Sequence, residues 1–187
     1  MKLLVIIAST RPGRIGKPIG DWFADRASQH GGFEVEVADL AEIALPLHDE
    51  PAHPMTGKYE HQHTKDWSAR VDAADAVVMV TPEYNYAFNA ALKNAIDYLN
   101  REWRYKPVGF VSYGGVSGGM RAVQMLKQVV TAVRMVPVGD TVLIPMARTM
   151  LGDGGFEPTD VVAQSADVML DELVKLAEPL AGVRAAS

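Results

Sequence analysis

Hydrophobic residues in this chain fall into short, uninterrupted runs separated by stretches whose apolar positions recur every three to four residues. Leu3 to Ala8 is the first such run, closed by Ser9-Thr10-Arg11-Pro12-Gly13, and its lack of alternation predicts a parallel strand covered on both faces. From Ile15 the positions Ile15, Ile19, Trp22 and Phe23 follow helical spacing until Gly31-Gly32, with Pro18 early enough to sit in a first turn. Phe33 to Val37 alternates apolar with acidic residues, as a half-exposed strand does. Leu40 to Lys58 then carries several prolines and histidines in a long connection that reads as surface or ligand-facing loop.

The same alternation of elements continues to the end of the chain. Tyr59 to Ala74 is polar and weakly helical, and Ala76 to Val80 is a second buried strand that ends in Thr81-Pro82-Glu83-Tyr84-Asn85-Tyr86. Phe88 to Leu99 has a wide apolar helical face, Pro107 to Val111 is a strand, and a glycine-rich loop from Tyr113 to Gly119 precedes a helix from Met120 to Met135. Val138 to Ile144 completes the strands, and a last helix spans Thr159 to Leu180 with Pro158 and Asp160 at its start. Strands alternating with helices predict an α/β doubly wound sandwich, a five-stranded parallel sheet with helices on both faces. Ligands of such sheets bind beyond the carboxyl ends of the strands, so the loops after the first, third and fourth strands are expected to converge on one pocket. No internal repeat or boundary interrupts the pattern, and one domain is expected over residues 1–187.

Composition narrows the function classes. The 187 residues include 48% hydrophobic and 22% charged residues, 16 Gly, 11 Pro and no Cys, the profile of a globular domain large enough to fold without a metal or covalent staple. Lack of cysteine removes disulfide frameworks, thiolate zinc sites and thiol nucleophiles. Eighteen Lys plus Arg against 23 Asp plus Glu, a formal charge of −5, lacks the basic excess of a nucleic-acid-binding domain. The opening apolar run is too short for a signal-peptide core, and no stretch approaches the roughly 20 apolar residues of a membrane span, so a cytoplasmic protein is expected.

Three loops carry the candidate chemistry. Ser9-Thr10-Arg11-Pro12-Gly13-Arg14-Ile15-Gly16 combines hydroxyls, two guanidinium groups and the free amides of a helix start, the parts of a phosphate site. Its glycine spacing fits neither the dinucleotide fingerprint nor the Walker loop. Pro82-Glu83-Tyr84-Asn85-Tyr86 offers peptide groups and aromatic rings against which a flat heteroaromatic ring would lie. Ser112 to Gly119 contains four glycines, which let backbone approach a ligand closely. Glu83 is read as an orienting or surface group rather than a general base, and Arg121 as a residue that seals the pocket or, more simply, is solvated at a helix start. His48, His53, His61 and His63 lie among Asp49, Glu50 and Glu60 at irregular spacings, which favour solvated loop histidines over a metal site.

With these motifs the chain resembles the NADPH-dependent FMN reductase family, the flavodoxin-like quinone, azo, chromate and related reductases. The resemblance spans essentially the whole chain. It rests on Ser9-Thr10-Arg11-Pro12-Gly13-Arg14, on Pro82-Glu83-Tyr84-Asn85 with Leu92-Lys93-Asn94-Ala95-Ile96-Asp97, and on Ser112-Tyr113-Gly114-Gly115 with Gly118-Gly119. It implies a flavodoxin-like three-layer sandwich with sheet order 2-1-3-4-5 and a bound FMN reduced by NADPH or NADH. It further implies that Ser9, Arg11, Arg14, Ile15 and Gly16 surround the FMN phosphate. Pro82, Glu83, Tyr84 and Asn85 would contact the flavin ring, and Ser112 and Gly115 would line its other edge. Asn89 stands where relatives often have proline, and the histidine-rich stretch is unusually long.

On that resemblance no catalytic side chain is needed, because flavin itself carries hydride transfer. The expected activity is an NAD(P)H oxidoreductase passing reducing equivalents through FMN to a quinone, azo compound, metal oxyanion or free flavin with ping-pong kinetics. A flavin-binding electron carrier or redox sensor without NAD(P)H turnover is the alternative, and a nucleotide or phosphosugar enzyme would explain the first loop alone. The wide apolar faces of Met120 to Met135 and Phe88 to Leu99 predict a symmetric dimer. The resemblance adds a pair of dimers as a second possibility.

Overall fold

The computed structural model describes residues 1–186. Strand β1 (Lys2–Ile7) is central because its residues from Leu3 to Ile7 are fully buried and find partners on both edges. It pairs in parallel with β2 (Glu34–Asp39) on one side and with β3 (Ala76–Pro82) on the other. β4 (Pro107–Tyr113) and β5 (Val136–Ile144) extend the sheet to the order β2-β1-β3-β4-β5, all parallel. Successive side chains of a strand point to opposite faces. Leu3, Val5, Val78, Val80 and Val111 therefore pack on one side, under helices α1 (Gly16–His30) and, late in the chain, α6 (Asp160–Ala185). Leu4, Ile6, Val77, Met79 and Phe110 face the other side.

That second face is covered by α3 (Gln62–Asp72), α4 (Ala90–Asp97) and α5 (Met120–Ala132). Trp67 of α3 and the nearby Trp103 meet edge to face with ring centroids 6.0 Å apart. Their indole N–H groups donate to the carbonyls of Ala95 and Ile96 at 2.8 and 3.0 Å, which leaves neither ring with an unpaired polar atom in the core.

The observed elements depart from the sequence expectations mainly at their ends. β2 runs on to Asp39, whose side chain accepts from the Ala41 amide and starts the short helix α2 (Leu40–Ile43) inside what had read as open loop. A 3-10 turn at Pro54–Thr56 adds a second ordered piece. α6 continues past Pro179 to Ala185. A two-stranded hairpin, β6 (Leu151–Gly152) and β7 (Gly155–Phe156), fills the stretch before it, with Phe156 against Trp22 at 5.2 Å. Two-residue strands carry no periodicity, so this hairpin has no hydrophobic signature in the sequence.

The histidine-rich excursion is folded rather than simply solvated. His63 Nε2 and the Tyr98 hydroxyl both meet Asp49 Oδ1, at 3.0 and 2.9 Å, and His61 stacks on His63 at 5.2 Å. Burial would raise the Asp49 carboxyl, but hydrogen bonds with Tyr98 and His63 hold it below the usual carboxylate range. Asp49 thus ties the loop to His63 of α3 and to Tyr98 at the end of α4, while His48 and His53 are exposed. No helix among the described residues is long and apolar enough to cross a membrane.

Candidate functional site

The carboxyl ends of β1, β3, β4 and β5 open into one cleft of about 410 Å³. Ser9, Arg11, Arg14 and Ile15 line it from the first loop, Pro82, Glu83 and Tyr84 from the second, and Gly115 from the third. Gly16, Asn85 and Ser112 are not among the residues that line the cleft, and each shapes one of its loops. The Ser112 hydroxyl donates to the Gly118 carbonyl at 2.9 Å and shapes the third loop from below. Asn85 has φ 50° and Tyr86 φ 69°, two left-handed residues in a tight turn closed by reciprocal Tyr84–Ala87 backbone bonds of 2.8 and 3.0 Å. A Cβ on Gly16 would lie 2.2 Å from the Tyr113 hydroxyl, so only glycine lets the start of α1 approach β4 this closely.

The two arginines of the first loop separate in role. Arg14 gives Nη1 and Nη2 to the two oxygens of Asp39 at 2.6 Å each, and Nη1 also reaches the Ser9 carbonyl at 2.9 Å. The bond to Asp39 raises the Arg14 pKa above its already high ordinary value. Arg14 is therefore a brace that shapes the loop. Arg11 is exposed, and its guanidinium makes no ion pair or hydrogen bond with the described residues. It stands beside the start of α1, which has no side-chain cap, so a helix dipole and a free guanidinium both favour an anion here.

Tyr84 and Tyr113 form the middle of the cleft. The Tyr84 hydroxyl lies 3.2 Å from Ser9 Oγ and bridges the first and second loops. The Tyr113 hydroxyl is buried beside Gly16 and Ser9 without a well-formed hydrogen bond, and burial pushes its pKa up, so it stays protonated. Gly115 leaves its backbone open, since an added Cβ would meet nothing within 4 Å. A phosphate at Arg11 and a flat ring against Tyr84 and Gly115 together match the cleft's chemistry.

Glu83 and Arg121 join the second and third loops. The Glu83 carboxylate accepts from Arg121 Nε at 2.7 Å, from the Arg121 amide at 3.1 Å and from Ser117 Oγ at 3.0 Å. Burial alone would raise the Glu83 carboxyl, but these donors outweigh it and hold the group below the usual carboxylate range. Glu83 is thus an orienting anion at the start of α5, while Arg121 is half exposed and also paired.

Sequence reasoning missed the fourth wall. Met146, Arg148 and Thr149 line the cleft from the segment after β5, where the Met146 and Ala147 amides bond the carbonyls of Gly115 and Gly114 at 2.9 and 3.2 Å. Arg148 forms no ion pair or hydrogen bond with the described residues. Its position just past a strand end was the available signal, because that edge of a parallel sheet is where ligands bind.

The sheet order and a cleft across its carboxyl edge define a flavodoxin-like α/β protein. The chain belongs to the NADPH-dependent FMN reductase family, whose model it matches over residues 1–149. It is similar to an NAD(P)H-dependent FMN reductase of Schizosaccharomyces pombe, 38% identical over 155 residues that cover 81% of this chain and 77% of that one. It is also similar to the NAD(P)H-dependent FMN reductase LOT6 of Saccharomyces cerevisiae, 35% identical over 189 residues and 94% of each chain. FerB of Paracoccus denitrificans, a flavoenzyme NAD(P)H:(acceptor) oxidoreductase, superposes with a TM-score of 0.77 at 22% identity, over 95% of this chain and 97% of that one. At that identity the likeness concerns the fold. The family is one of oxidoreductases, and its cofactors are FMN and NAD(P)H.

Proposed function

We propose that the cleft holds FMN, with the phosphate at Arg11, Ser9 and the start of α1 and the ring between Pro82–Tyr84 and Gly114–Gly115. The observation that carries this is the convergence, in one cleft, of an unpaired Arg11, a buried Tyr113 hydroxyl lacking a partner and an open backbone at Gly115. The cleft's volume is within the range of small-molecule sites, roughly 300–1,000 Å³. FMN held there would supply the redox chemistry, a hydride transfer from NAD(P)H followed by reduction of a quinone, azo compound, metal oxyanion or free flavin.

The protein's own groups bind and orient. Glu83 is committed to Arg121 and Ser117, and Tyr113 holds its proton, so neither is a general base at neutral pH. We extend the proposal to ping-pong kinetics, with NAD(P)H and acceptor using the same cleft in turn. A symmetric dimer is part of it too. The start of α5 and the loop before it leave Val116, Met120 and Met125 at 90%, 50% and 47% exposure, an apolar surface suited to a second copy.

The test is quenching of FMN fluorescence on titration with the purified protein, followed by steady-state kinetics with NADPH and a quinone. One FMN per chain and parallel double-reciprocal lines are expected. No flavin binding would overturn the site, and intersecting lines would overturn the kinetic order. Binding without NADPH oxidation would make the protein a flavin-binding carrier. A single monomer mass across dilutions would remove the dimer.

A further inference from the structure

The second loop of the cleft contains a costly piece of backbone. A tight turn with two left-handed central residues favours Asn then Gly, yet here the second position is Tyr86 at φ 69°. A side chain in that conformation persists only when its surroundings over-determine it. The Tyr86 ring is 64% exposed and outside the core, so packing against the sheet does not hold it. Beyond the Tyr84–Ala87 backbone bonds that close the turn, the Tyr86 side chain is met by Arg121, whose guanidinium lies 3.9 Å from the ring centroid. The same guanidinium bonds Glu83, three residues earlier, and Ser117 at 3.1 Å.

Arg121 itself does not line the cleft. It grips the turn at two points, Glu83 before it and Tyr86 within it, and ties both to the start of α5. Tyr84, which does line the cleft and bridges to Ser9, sits between these two grips. We infer that Arg121 is a positioning residue for the flavin ring, acting as a clamp that fixes the Tyr84–Ala87 turn through an ion pair on Glu83 and a cation–π contact on Tyr86. This rests on the FMN reading of the cleft. The cation–π contact and ion pair act together because one planar guanidinium presents both its edge and its face, which a lysine ammonium does not.

Two measurements on Arg121→Ala decide it. Amide hydrogen exchange of the flavin-free protein, read at Tyr84 and Ala87, reports the clamp whether or not flavin binds. FMN titration and the fine structure of the bound flavin's visible absorption report its positioning. The expected result is exchange faster by about tenfold at both amides, FMN binding weaker by about tenfold, and a spectrum shifted toward that of free FMN. Arg121→Lys should recover part of each effect, and Tyr86→Leu, which removes only the stack, should give a smaller change in the same direction. Tyr86→Leu also serves if Arg121→Ala does not fold. Unchanged exchange overturns the clamp. Faster exchange with unchanged affinity and spectrum overturns the positioning role. If the wild-type protein binds no FMN, the flavin reading fails and the positioning role with it, while the exchange result still decides the clamp.

Discussion

Arg14 gives both terminal nitrogens of its guanidinium to the carboxylate of Asp39, at 2.6 Å each, across the gap between the first loop and the end of β2. Arg11, three residues earlier, keeps its guanidinium free in the cleft. Two arginines that look equivalent in sequence therefore do different work.

Substituting them should separate the two roles. Arg11→Ala is expected to weaken FMN binding by about 1.5–3 kcal/mol, the range for hydrogen bonds to charged groups, with the unfolding midpoint unchanged. Arg14→Ala leaves a 3% exposed Asp39 carboxylate without its partner and should lower folding stability by about 2–3 kcal/mol. Isothermal titration with FMN and urea denaturation read the two effects. Equal behaviour of the two variants would contradict the division.

Gly16→Ala tests how closely the start of α1 must approach β4. The new methyl would lie 2.2 Å from the Tyr113 hydroxyl and 3.1 Å from Ser9 Cβ, so the loop must shift, and both FMN affinity and thermal stability should fall. Combining it with Tyr113→Phe removes the nearest atom, and the double variant should regain part of the lost thermal stability. A double variant no better than Gly16→Ala would place the strain elsewhere.

Lys106 makes stability depend on pH in a calculable direction. It is 2% exposed, it donates to the Val71 and Asp72 carbonyls at the end of α3, and burial pushes its pKa down from 10.5 to about 8. The unfolded chain therefore binds more protons than the folded one between about pH 8 and 10.5. This group's contribution to stability rises with pH through that window, and its full cost is present below pH 8. Relative to Lys106→Met, the wild-type protein should gain about 1–2 kcal/mol between pH 7.5 and roughly 9.5 in urea denaturation. Parallel pH profiles would show that the lysine does not titrate there.

Arg148 offers a second free guanidinium at the cleft. NADPH carries one more phosphate than NADH, so Arg148→Ala should raise KM for NADPH by about tenfold and leave KM for NADH near its original value. Equal increases for both cofactors would assign the arginine to a phosphate they share.

The sequence was informative wherever one residue type sufficed to define local structure. Fully apolar runs such as Leu3–Ile7 and Ala76–Val80 read correctly as buried parallel strands because a strand covered on both faces is built mostly of apolar side chains. Gly31 at φ 78° ends α1 where the sequence placed its end. The hairpin at Leu151–Phe156 and the short helix α2 escaped notice because elements of two to four residues have no period to detect.

Within the site, sequence alone determined which loops meet, since the topology of a parallel sheet sends the ends of β1, β3 and β4 to one edge. Tertiary structure decided what each side chain does there. Asp39, on a strand 25 residues along the chain, pairs with Arg14 at the cleft wall and makes it a brace. Glu83 gives the half-exposed Arg121 an ion-pair partner, and the segment after β5 adds Arg148. The two ion pairs depend on charges brought together across long sequence separations, and an ion pair's strength depends on distance and burial, which only the folded chain supplies.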